Sequence, residues 1–445
     1  MRILPSKITV KSGAKLNIIP EIKALATLKN IARLLLCSAW FSLLISPIAN
    51  AAEVEVLHWW TSGGEARSAK LLEQGIESRG HIWKDFSVAG GGGQSAMMVL
   101  KARAVSGNPP TSAQIKGYDI QEWTKLGFLT SLDDVAKEDD WDSLLPSTIS
   151  EIMKYKGRYV AAPVNIHRVN WLWINPKVLQ QVGVPVPTTL DEFFAVADAV
   201  KAAGYIPLAH GRQPWQDATV FESLAIAILG PEDYYNAFVE LDFDVLSGKK
   251  MQQVFSAFKK VASYIDENAL GRDWNVATQM VMNGEAAMQL MGDWVKGEMT
   301  FAGKVPGEDY LCVAAPGTED IFSYNIDSFV FFKSHDPSRG LGQKELAKTI
   351  MSKTFQQQFN YSKGSLPARN DVSMQGFDEC TFKSRNAFTQ AENNHTLVPS
   401  LSADMSTTSF IRDAMIDVIS EFFSDPSADP KNAPARLAKA VRAAK

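Results

Sequence analysis

From Val54 to Phe332, short apolar runs alternate with segments of helical periodicity, a pattern that restricts the chain to an α/β fold. Val54–Trp60 reads as a strand, Thr61-Ser62-Gly63-Gly64 as a turn, and Glu65 as the start of an amphipathic helix through Gln74. A second strand lies within residues 78–90, and Gly90–Gly93 leads into a helix from Gln94 to Ser106 that Gly107-Asn108-Pro109-Pro110 stops. Thr111–Ile115 is a strand, followed by Gly117 and a helix from Asp119 to Leu126. Trp171–Ile174 is another strand, Asn175-Pro176 opens a helix, and Thr189 caps a helix around Asp191–Ala203. Residues 213–265 read as helical almost throughout. Strands return at Ala286–Met291, Tyr310–Ala315 and Ser328–Phe332, and helices and loops dominate from Glu345 onward.

Ahead of this pattern stands the apolar segment Leu34–Ala51, which ends in Ala49-Asn50-Ala51, a small-x-small site. Residues 1–33 carry seven basic side chains and one acid, the charge of a signal-peptide n-region. The apolar core Leu34–Ile45 is shorter than the roughly 20 residues a bilayer span requires. Residues 1–51 are therefore expected to be a cleaved leader with an extended n-region, and the mature chain to be periplasmic. Loss of the leader moves the net charge from −4 to −10, which gives the mature chain no electrostatic reason to bind nucleic acid or anionic lipid. Cys37 leaves with it, and Cys312 with Cys380 can form either a bridge or two buried thiols.

Several chemistries lack their motifs. The six histidines are scattered singly and no cysteine cluster exists, so neither a metal nor another cofactor is expected. Gly90–Gly93 lacks the Gly-Lys-[Ser/Thr] ending of a phosphate loop and reads as a turn. No Gly-x-Ser-x-Gly elbow is present.

Five landmarks in order span nearly the whole mature chain: VEVLHWWTSGGE; GGGGQSAMMVLKARAVSGNPPTSAQIKGYDIQEWTKLGFLTSLDD; YVAAPVNIHRVNWLWINPKVLQQVGVPVPTTLDEF; NGEAAMQLMGDW; and ELAKTIMSKTFQQQFNYSKGSLPARND. Together they resemble the extracellular solute-binding proteins of bacterial sugar ABC transporters, in the maltodextrin-like class. The HWW and MGDW aromatics are most similar to the glucose/mannose-binding branch. The resemblance implies an α/β, two-lobed periplasmic binding protein fold, with a hinge and a ligand cleft between lobes. Mapped here, lobe 1 would hold residues 53–162 plus 317–362, and lobe 2 residues 163–316 plus 363–445.

A sugar presents apolar C–H faces that lie on indoles and hydroxyls that each need a donor or acceptor. Trp59 and Trp60 end the first strand, where side chains face a cleft, although period two lets at most one be an ideal platform. Glu65 at a helix start is favoured by the dipole and can accept hydroxyls, and Gln114 and Lys116 end the strand before Gly117. Asn325 and Asp327 flank Ile326, so in extended chain both face one way and suit vicinal hydroxyls. The resemblance assigns Trp294 as a stacking platform of the second lobe and adds Lys363 and His395 near the cleft; Asp293 is either a hinge-side hydrogen-bonding residue or a turn former.

These readings imply a non-enzymatic, monomeric receptor that closes on glucose, and possibly tolerates mannose, and delivers it to membrane permease subunits. Two alternatives stand beside it. One keeps the fold but binds an oligosaccharide or other polar solute. The other is a secreted glycoside hydrolase, with Glu65 and Asp327 as its carboxylate pair.

Overall fold

The computed structural model describes residues 51–445, so the expected leader lies outside the described residues. Residues Ala52–Lys445 form one compact unit. Within it the chain builds a two-lobed α/β fold around three larger sheets, with a small two-stranded one at Lys154–Tyr155 and Arg158–Tyr159.

The first lobe is organised by a five-stranded sheet ordered Ile82–Ser87, Glu53–His58, Ser112–Lys116, Asp327–Phe331, Ala161–Pro163. The first three strands are parallel and the last two pair antiparallel, as Asp327 opposite Lys116 shows. Buried strands of a parallel core need apolar side chains on both faces, which Val54, Val56 and Leu57 provide together with Ala113 and Ile115. Their core extends to Leu72, Ile76 and Phe359 on covering helices.

A second sheet, ordered Leu311–Ala314, Trp171–Ile174, Ala286–Leu290, Ile206–Leu208, organises the other lobe. Its core is aromatic, with Phe221, Phe255, Phe258 and Phe422 packed among the helices Pro214–Phe238, Lys249–Ala262 and Ser409–Ser424. A third sheet, ordered Leu366–Pro367, Asn165–Arg168, Phe322–Asn325, Leu397–Pro399, lies where the chain crosses between them. Ile326 marks one crossing: Phe322–Asn325 belongs to this sheet, while Asp327–Phe331 belongs to the first.

Local signals hold closely. Thr189 forms a full capping box with Glu192, and the Asn175 side chain accepts from the amides of Lys177 and Val178. The helical stretch expected over 213–265 is broken at Gly230, where φ is +77° ahead of Pro231, and again near Phe243–Leu246. Strands Ile206–Leu208, Leu366–Pro367 and Leu397–Pro399 carry two or three residues each, too few for a period to register in sequence.

Cys312 and Cys380 are joined as a disulfide, with Cα atoms 5.9 Å apart. It fastens strand Leu311–Ala314 to the helix Glu379–Asn394. Among the described residues no helix is long and apolar enough to cross a membrane.

Candidate binding site

Between the first core and a tryptophan-rich cluster of the second lobe lies a cavity in which the centres of water molecules reach about 40 Å³. From the first lobe, Trp59 and Trp60 enter directly after the strand Glu53–His58. Both tryptophans lie just past the strand end rather than in the strand, and they differ in burial and contacts. Trp60 is the more deeply buried, its ring edge-on to Phe329 at 5.6 Å and tilted on Phe359 at 5.1 Å. Trp59 instead carries the Lys116 ammonium 5.3 Å from its ring centroid.

The charges at the site come in pairs, buried except for a half-buried Asp404. Glu65 stands in the first turn of helix Gly63–Glu77 and accepts from Lys363 Nζ at 2.9 Å. Lys116 Nζ lies 3.0 Å from Asp404 Oδ2. His167, on strand Asn165–Arg168, sits between two carboxylates: Nδ1 meets Asp293 Oδ1, and Nε2 lies 3.1 Å from Asp327 Oδ2. Burial by itself lowers the His167 pKa, but the charge and hydrogen bonds of Asp293 and Asp327 outweigh it and raise it. Burial likewise pushes Asp327 up, yet the hydrogen bond and charge of His167, with Lys363 and Lys116 nearby, hold it well below the usual carboxylate range. Asp327 is thus an ionised acceptor in a dry wall. Asn325 Oδ1 is buried without any hydrogen-bond partner and lines the same wall, so the cavity offers an acceptor waiting for a donor.

The opposite wall is aromatic. Trp294 stands edge-on to His167 at 5.3 Å and 6.3 Å from Trp215, and Trp274 completes the wall. Thr219, Ser402 and Ala403 line the remainder. Glycines at Gly91 and Gly92 close the gap between walls, since a Cβ on Gly91 would come 2.8 Å from Trp215 Cζ2 and one on Gly92 2.8 Å from Trp215 Cγ.

Eight of the ten residues singled out from sequence line this cavity: Trp59, Trp60, Glu65, Lys116, Trp294, Asn325, Asp327 and Lys363. Gln114 does not. It is fully buried behind the wall, its Oε1 accepting the Trp59 amide at 3.4 Å and its Nε2 unpartnered. His395 is a correction. It is exposed, holds the left-handed C-cap of helix Glu379–Asn394 with φ +58°, and takes no part in the cavity wall. Asp293 is a hydrogen-bonding residue, its Oδ2 accepting the Arg168 amide at 3.0 Å.

Sequence reasoning missed His167, Trp215 and Trp274, and read Gly90–Gly93 only as a turn. Pro214-Trp215 at a helix start was a usable signal, because an aromatic in the first turn of a helix faces whatever that end approaches.

Residues 85–333 match the family profile described as bacterial extracellular solute-binding protein, more than half of the chain. The chain belongs to that family. A Brucella suis biovar 1 solute-binding protein, named as a probable sugar-binding periplasmic protein, is 44% identical over 404 residues, covering 90% of this chain and 95% of the relative. Among solved structures of such binding proteins, a chitin oligosaccharide binding protein superposes with a TM-score of 0.76 at 18% identity, covering 89% of this chain and 99% of its own. A bacterial solute receptor with a preference for β-D-galactopyranose gives 0.72 at 18% identity, covering 88% and 97%. At that identity the likeness carries the fold of this solute-binding protein, which agrees with the two lobes described above.

Proposed function

We propose that this chain is the periplasmic sugar-binding component of an ABC importer, holding one monosaccharide, glucose with mannose tolerated, between its lobes for delivery to the permease. The observation that carries the reading is the meeting in one cavity of Trp59, Trp215, Trp274 and Trp294 with Asp327, the unpartnered Asn325 Oδ1 and the ion pairs Glu65–Lys363 and Lys116–Asp404. Indoles take up the C–H faces of a pyranose, and the polar groups each read a hydroxyl. A ligand lacking such a hydroxyl leaves buried groups unpaired, and discrimination follows.

The fold itself serves both oligosaccharide and monosaccharide receptors, so the size of the site bears on the choice. The room that the centres of water molecules reach inside the cavity is only about 40 Å³, which favours one ring over a chain of rings. The two lobes, taken as residues 53–162 plus 317–362 and 163–316 plus 363–445, would close by hinge motion, driven by the ligand's greater affinity for the closed form. Signal-peptide cleavage after Ala51 would place the monomeric chain in the periplasm.

Hydrolysis is disfavoured by the site's electrostatics. A glycosidase needs one carboxyl held protonated, whereas Asp327 is held below the usual range and Glu65 is ion-paired. Calorimetric titration of residues 52–445 with glucose, mannose, galactose and maltose, with product assayed afterwards, tests the reading. One-to-one glucose binding without product supports it. Maltose binding alone replaces the monosaccharide with an oligosaccharide, and product moves the chain to the hydrolases.

A further inference from the structure

Resting on the sugar-binding reading, one residue beyond the hydroxyl-reading set acquires a role from its position. His167 is 1% exposed, and each ring nitrogen faces a different carboxylate. Asp327 opens the strand Asp327–Phe331 in the interior of the first lobe's sheet; Asp293 directly precedes Trp294 at the entry to helix Val295–Phe301. Three of the four carboxylate oxygens already take a close donor. Asp293 Oδ2 takes the Arg168 amide, and Asp327 Oδ2 also takes Asn165 Nδ2 at 3.1 Å. The Asp327 amide in turn donates to Asn165 Oδ1 at 3.0 Å. Asp327 Oδ1 is left with Asn325 Nδ2 at 3.5 Å alone, and so remains open to a ligand hydroxyl.

A neutral imidazole donates from one nitrogen only, and its lone pair would then face the second buried carboxylate. Asn165 Oδ1 accepts the Asp327 amide, which places Asn165 Nδ2 2.9 Å from His167 Nε2 and 3.1 Å from Asp327 Oδ2. A neutral ring would take Asn165 at Nε2 and leave Asp327 without a ring donor, whereas a cation donates to both carboxylates. We propose that His167 is a positioning residue for the ligand: a buried cationic link between Asp327, which accepts a hydroxyl, and Asp293, which anchors the Trp294 platform.

The surrounding charges are compatible with that link. Lys363 and Lys116 act on Asp327 but are themselves paired, with Glu65 at 2.9 Å and Asp404 at 3.0 Å. The Arg168 guanidinium, on the same strand as His167, is spent on Asn170 and the carbonyls of Thr318, Glu319 and Ile321. Without the His167 cation, burial would push Asp327 toward its protonated form. Replacing His167 should therefore weaken ligand binding and also make it proton-linked.

The test uses residues 52–445 labelled with ¹⁵N-histidine, the His167 signals being assigned against His167→Gln. In the free chain both ring nitrogens are expected to carry protons at pH 7.5, and Asp293→Asn should bring deprotonation to lower pH. A neutral His167 ring at pH 7.5 overturns the proposal. Calorimetry with glucose at pH 7, in buffers of different ionisation enthalpy, is expected to show no proton exchange for wild type. His167→Gln should bind about 10–100-fold more weakly, with net proton exchange. Equal affinity and equal linkage in the two proteins also overturn it. If wild type takes no glucose, the glucose reading fails by that fact, while the ring's protonation still decides the link. Should His167→Gln not fold, the wild-type and Asp293→Asn spectra decide.

Discussion

Removal of the Cys312–Cys380 bridge offers a perturbation whose size can be worked from the structure. The two cysteines are separated by 68 residues, and in residues 52–445 they are the only two. In the chain-entropy description, closing a loop of that length removes about 15 cal/mol/K from the unfolded ensemble, or about 4 kcal/mol at 25 °C. Little else should change with Cys312→Ala/Cys380→Ala: both side chains are buried, and each loses a single sulfur. The bridge ties the second sheet to a helix whose Phe388 packs edge-on to Phe322 in the third sheet, so the loss should be felt where the lobes meet. Urea unfolding of oxidised wild type, reduced wild type and the double variant, followed by tryptophan fluorescence, measures the effect. Reduction and substitution should agree, each lowering the unfolding free energy by about 2–4 kcal/mol, since measured values commonly fall below the entropic figure. Free thiols titrated in denaturant should be absent from the oxidised protein. A change under about 1 kcal/mol, or two reactive thiols in protein secreted to an oxidising compartment, would refute the bridge and the energetic reasoning with it.

Trp294→Ala should weaken glucose binding about 10–100-fold while leaving the far-ultraviolet dichroism unchanged, because it removes a stacking face without leaving a buried charge behind; calorimetry checks it. Gly92→Ala should lower affinity by about 10-fold or more: φ is +80° there and the new Cβ would stand 2.8 Å from Trp215, so either the loop or the indole must give way. Burial raises Asp119 to about 7 against the opposing Arg412 charge, with Asp404 and Glu122 adding to the rise. A folded-state value above the unfolded one contributes stability that is complete below about pH 4 and is lost as the pH climbs through about 7. Asp119→Asn should therefore flatten the stability profile between those limits and be more stable than wild type at pH 8, as urea midpoints at pH 4.5 and pH 8 will show. His395→Ala should leave glucose affinity unchanged, since that side chain is exposed away from the cavity wall.

Much of this molecule was legible before any coordinates. The first strand, seen at Glu53–His58 and read two residues too far, the Thr189 and Asn175 caps, and the placing of Asn325 and Asp327 on either side of Ile326 in one cavity wall all rest on interactions within a few residues, and such interactions leave a period or a cap in the sequence. What escaped was decided by distant partners. Lys363 reaches Glu65 across 298 residues, and His167 meets Asp293 across 126 and Asp327 across 160, so nothing local to a lone histidine marks it as the link between two site elements. The four glycines read as a turn, and they are one, but only their approach to Trp215 and Trp59 makes the missing side chains a requirement. Gln114 and His395 show the converse. A strand end and a nearby family landmark suggested cleft residues, yet strand pairing turned one behind the wall and a helix cap carried the other to the surface. Local periodicity fixes which face of an element is apolar; which polar groups then meet inside depends on how the lobes pack, and that is settled only when the whole chain folds.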